Sequence, residues 1–102
     1  MDSSTHHYPP QWDTRTHFSQ FQPRQFEFPL AKELQDFVAV GTVDGRVFVG
    51  SHRTGNILGT SHRARGPGSI LALSWLHSSP TWFATGNSNG DINLVNATGM
   101  LL

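Results

Sequence analysis

The sequence predicts an all-β chain, on three observations: short β-branched and aromatic runs, turn-forming residues between them, and a pattern that recurs after 45 residues. Ten Gly and six Pro among 102 residues, with 36% hydrophobic residues, favour many turns over long helices. The runs lie at 24–28, 37–42, 46–50, 56–60, 70–75, 82–86, 91–95 and 100–102. Asp-Gly, Thr-Gly, Gly-Pro-Gly, Ser-Ser-Pro and Asn-Gly separate them, and these residues supply positive φ or preset turn geometry. The stretch LAKEL at 30–34 predicts one helical turn, too short to change the class. Residues 1–23 are rich in Ser, Thr, His, Gln and Pro, with isolated aromatics and no period. They predict a disordered leader, because so little apolar area does not offset the entropy lost on ordering.

The repeat is the strongest signal. Residues 37–49 (FVAVGTVDGRVFV) lie over 82–94 (WFATGNSNGDINL), so that Ala39 matches Ala84, Gly41 matches Gly86 and Asp44-Gly45 matches Asn89-Gly90. Phe26-Glu27-Phe28 lies over Leu71-Ala72-Leu73, and Thr54-Gly55 over Thr98-Gly99 with one residue deleted in the second copy. A repeat of about 40 to 45 residues carrying four short strands indicates a β-propeller blade. Two copies predict two four-stranded antiparallel sheets, about 24–60 and 70–102, joined by a basic Gly/Pro loop. The pairs Asp44-Gly45 and Asn89-Gly90 read as structural turns, two-residue hairpin loops whose residues tolerate positive φ.

These residues resemble the WD40-repeat family. Its repeats place a small residue and Gly at the end of the second strand, Asp-Gly in the next hairpin, an apolar third strand closing on Trp-Asp, then Thr-Gly. Residues 38–58 (VAVGTVDGRVFVGSHRTGNIL) follow that layout with Gly50-Ser51 in the Trp-Asp slot, and 83–102 follow it with Val95-Asn96 there. Arg65-Gly66 stands where Gly-His often opens a repeat. In the family a buried network of His, hairpin Asp, strand Ser or Thr, and Trp fixes each blade. Here Asp44 is kept, Asn89 replaces its counterpart, and the His and Trp are lacking, so blade stability is expected to rest on apolar packing and turn chemistry. The resemblance implies an open, incomplete propeller and a non-catalytic scaffold that presents rim loops to protein partners. In family members that are substrate receptors of cullin-4 ubiquitin ligases, an Arg two residues after Trp-Asp belongs to the adaptor-binding pattern. Arg53 holds that position, which makes the cullin-4 adaptor one implied partner.

Composition narrows the remaining classes. Seven Lys and Arg balance seven Asp and Glu, which argues against a general nucleic-acid or anionic-membrane surface. The absence of cysteine excludes disulfides, a thiolate zinc site and a Cys nucleophile. No signal-peptide pattern or 18-residue apolar run occurs, so an intracellular chain, cytoplasmic or nuclear, with no membrane contact is expected. The six histidines (His6, His7, His17, His52, His62 and His77) lack metal-site spacing and read as surface or loop residues. No G-x-S-x-G, G-x-x-x-x-G-K or G-x-G-x-x-G is present, so no enzyme, metal or cofactor is expected. Arg63 and Arg65 in the inter-blade loop form the one local basic cluster. They read as a solvated loop or, alternatively, a partner-binding or nucleic-acid contact. Asn96-Ala97-Thr98 fits the glycosylation pattern by chance, and the leader aromatics Tyr8, Trp12, Phe18 and Phe21 read as loosely packed tail residues. Because repeat arrays generally need about three or more units, the chain is expected to be a fragment, or a unit completed by assembly or further blades.

Overall fold

The computed structural model describes residues 17–61 and 68–101. Seven strands form two antiparallel sheets. The first sheet holds β1 (Pro23–Glu27), β2 (Phe37–Thr42), β3 (Val47–Ser51) and β4 (Ile57–Thr60) in sequential order. The second holds β5 (Ile70–Trp75), β6 (Trp82–Asn87) and β7 (Ile92–Asn96). The expected helical turn is a 3₁₀ turn at Lys32–Leu34, which buries Leu34.

Both hairpin turns fall where the Gly pairs place them, but each loop has three residues, not two. Thr42 N–H donates to Arg46 O and Gly45 N–H to Thr42 O, closing a turn over Val43, Asp44 and Gly45. Asn87 and Asp91 close the second turn in the same way over Ser88, Asn89 and Gly90. Only the glycines take positive φ, 90° at Gly45 and 89° at Gly90, as in a type I turn followed by a left-handed residue. Asp44 and Asn89 keep negative φ.

Strand alternation divides the first sheet into two faces. Phe37, Ala39, Val47 and Val49 pack on the second sheet, in one core with Ile70, Leu73, Trp75, Phe83 and Val95. A hydrogen bond from Trp75 Nε1 to Glu27 O, 2.9 Å, ties the two sheets. A Cβ on Gly41 would lie 2.6 Å from the Cβ of Ile70, so the sheets approach more closely than any side chain there allows. On the opposite face Val38, Val40 and Phe48 form a second core with Phe18, and Phe21, Phe26, Phe28 and Ile57 pack against it.

This second core moves the start of the fold. The leader was expected to run to residue 23, yet Phe18 is fully buried, with its ring 5.4 Å from that of Phe48, and Phe21 stands 5.2 Å from the same ring. Gly50 leaves the room: a Cβ there would be 2.9 Å from Phe18 Cε1. Tyr8 and Trp12 lie outside the described residues.

Of the eighth expected strand, at 100–102, Met100 and Leu101 do not join the second sheet, and Leu102 lies outside the described residues. Asn96 instead caps a short helical turn, α1 (Ala97–Met100), its Oδ1 accepting from Thr98 N–H and from the Thr98 hydroxyl. Ala97 and Met100 drop into the core between the sheets, and Leu101 makes an isolated antiparallel bridge to Gly59 of β4. The second sheet therefore ends at β7. Asn87 N–H donates to Asp91 O and Ala97 N–H to Thr81 O, so residues 91, 93, 95 and 97 face β6 in the alternating ladder. Ile92, Leu94 and Asn96 turn their backbone groups to an edge that no strand covers among the described residues.

Candidate protein-contact site

The turn that closes β3 carries the residue singled out for partner binding. Gly55 N–H donates to Ser51 O (2.8 Å) and Thr54 N–H to Ser51 Oγ (3.3 Å), while Ser51 N–H donates to Asn56 O (2.9 Å), so residues 51–56 form a tight loop beyond the strand. Gly55, with φ 80°, completes the reversal. Within this loop the Ser51 hydroxyl reaches the Asp36 carboxylate, 2.9 Å from Oδ2, and Arg53 Nε–H donates to Asp36 Oδ1 at 3.0 Å. Burial pushes the Asp36 carboxyl up, but the hydrogen bonds from Arg53 and Ser51, with the charges of Arg53 and His52, outweigh it and hold the group below its ordinary value. The Arg53 side chain is 70% exposed. Its Nε is held by Asp36 while most of the side chain is exposed, a posture suited to contact with an acceptor on another protein.

His52, read from sequence as a surface or loop residue, is buried. Its N–H donates to Asp36 O (3.1 Å) and its Nε2 to Gln35 O (2.9 Å), with the ring edge-on to Phe28 at 5.4 Å. Because a carbonyl only accepts, Nε2 carries a proton, while Nδ1 is buried without a hydrogen-bond partner. His17 Nδ1 in turn bonds the His52 carbonyl at 3.1 Å. Sequence reading missed Asp36 and the role of His52, since their partners lie 15 and 17 positions away.

The two hairpins repeat one device with different residues. Thr42 Oγ1 donates to Asp44 Oδ1 and accepts from Arg46 N–H (2.9 Å), and Arg46 Nε donates to Asp44 at 3.1 Å. The hydrogen bonds of Thr42 and then Arg46 hold the Asp44 carboxyl below its ordinary value. In the second copy Asn87 Oδ1 accepts from Asn89 N–H and Asp91 N–H, both at 3.0 Å. Asp44 and Gly45 lie in the first of these turns, and Asn89 and Gly90 in the second. Arg63 and Arg65 lie outside the described residues. Among the described residues no three His, Cys, Asp or Glu side chains gather as a metal site, and no helix is long and apolar enough to cross a membrane.

No protein-family model matches the chain, and no solved structure matches it. The chain is similar to Protein DWD HYPERSENSITIVE TO UV-B 1 of Arabidopsis thaliana, with 38% identity over 77 residues, 74% of this chain and 10% of that protein. It therefore spans about a tenth of the length of the curated relative it matches. The match covers most of this chain, whose described residues fold as two open antiparallel sheets of four and three strands.

Proposed function

We propose that the chain is a non-catalytic protein-interaction unit of WD40 type, intracellular, and that within this role it contributes to a substrate receptor of a cullin-4 ubiquitin ligase. The observation that carries the reading is Arg53, a largely exposed cation whose Nε is held by Asp36, a carboxylate that also accepts from Ser51 at the end of β3. An arginine held in this way loses little side-chain freedom on meeting an acceptor, so its contact adds to affinity. The similarity to DWD HYPERSENSITIVE TO UV-B 1 supports the same reading. Co-purification of the cullin-4 adaptor with the tagged chain tests it. Capture is expected from the parent, to fall at least tenfold for Arg53→Ala, and to fall less for Asp36→Asn, which frees the guanidinium without removing it. Equal capture by the parent and Arg53→Ala, or none by either, overturns the reading.

A further inference from the structure

We infer that the second hairpin carries a self-modifying site, in which Asn89 deamidates through the backbone nitrogen of Gly90, and that Asn87 holds the reaction in check. Deamidation needs an asparagine whose following residue offers an unhindered backbone nitrogen. Four of the five asparagines precede Ile57, Ser88, Leu94 and Ala97, and Asn89 precedes a glycine. Asn89 and Gly90 are both exposed, and a Cβ placed on Gly90 would meet nothing within 4 Å. The first hairpin has Asp44 at this place, which has no amide to lose. The two turns share a backbone form but not this chemistry.

The step balances with water alone. The Gly90 nitrogen attacks Asn89 Cγ, an N–Cγ bond forms, and the Cγ–Nδ2 bond breaks as ammonia leaves with the Gly90 proton. Water then opens the succinimide ring at either carbonyl, giving aspartate or isoaspartate at position 89. In the folded turn the nucleophile is tied down. Gly90 N–H donates to Asn87 O at 3.0 Å, and the Asn87 side chain closes the loop around it. Asn87 Oδ1 accepts from Asn89 N–H and Asp91 N–H, both at 3.0 Å, and Nδ2 donates to Asp91 Oδ2 at 3.3 Å. A bonded N–H is harder to deprotonate, and ring closure takes the Asn89 backbone out of the turn, so reaction waits on local opening. Asn87 governs that opening because it bridges both sides of the reacting pair. The product changes the loop. Arg46 donates to Asp44 at 3.1 Å in the first hairpin, whereas Asp91 stands at the corresponding place in the second, so the new carboxylate gains an acid as its neighbour. Ser88 N–H donates to Ser69 O at 2.9 Å and Ser69 Oγ to Val43 O at 2.6 Å, which links the altered turn to the first hairpin.

Incubation of the full chain at mildly alkaline pH, followed by peptide mapping with mass spectrometry, tests this. A mass gain of about one dalton is expected at Asn89 before any other asparagine, and at least fivefold faster in guanidinium chloride than in buffer. Asn87→Ala is expected to speed the reaction about tenfold in buffer, as two hydrogen bonds to the side-chain oxygen are lost, and to change nothing in guanidinium chloride. Asn87→Thr, with the residue that the first hairpin uses at position 42, keeps an acceptor for the position 91 N–H and is expected to fall between. It carries the comparison where circular dichroism shows Asn87→Ala unfolded. No gain at Asn89, equal rates for the parent in buffer and guanidinium chloride, or the parent's rate in the folded Asn87 variants overturns the inference.

Discussion

At Asp36 one carboxylate joins three parts of the chain: the 3₁₀ turn that precedes it, Ser51 at the end of β3, and Arg53 in the following loop. Its folded-state value is lowered relative to the unfolded chain, so its contribution to stability is complete above about pH 4 and is lost as pH falls through the folded value. The urea midpoint is expected to decline as pH is taken from neutral to about 3. Asp36→Asn is expected to lower the unfolding free energy at neutral pH by about 1 kcal/mol or less, and to flatten the decline, as followed by circular dichroism in urea. Arg53 was legible in the sequence because a local pattern singles it out. Asp36 was not, because nothing local distinguishes an acid that meets its cation 17 residues later.

Strands were legible wherever apolar residues alternate between turn pairs, which is why β1 to β7 fall close to the expected runs. The last run misled because its strand composition does not show that Met100 packs in the core between the sheets and that the Asn96 cap bends the chain toward it. Loop length was also misjudged, since Asp-Gly and Asn-Gly suit two-residue loops and also serve when Gly alone takes the left-handed position. Equivalent glycines in β2 and β6 now separate sequence likeness from packing. Gly41→Ala drives a methyl group into Ile70 and is expected to cost about 1 to 3 kcal/mol. Gly86→Ala has free space and is expected to leave stability unchanged or raise it by about 0.5 kcal/mol, since alanine loses less entropy in a strand. Urea melts of both variants check the contrast, and similar losses at the two sites would contradict the packing described.

The described residues form three layers: residues 17–22, the first sheet and the second sheet. The outermost layer was illegible because Phe18 and Phe21 stand in a polar, aperiodic stretch, and their burial depends on a surface formed by β2 and β3 well downstream. Phe18→Ala removes the fully buried side chain of that layer and is expected to cost about 3 to 5 kcal/mol in a urea melt, enough to leave the chain largely unfolded. A loss below about 1 kcal/mol would mean that the layer is not part of the folding unit.

The bridge between Leu101 and Gly59 gives misassembly a direction. It blocks the outer side of β4 with the chain's own backbone, while the outer side of β7 runs without a lysine, proline or bulge to turn a foreign strand away. Any fibrillar by-product at high protein concentration would therefore be seeded at β7, and a single lysine at Leu94 would suppress seeding there without touching the guarded side.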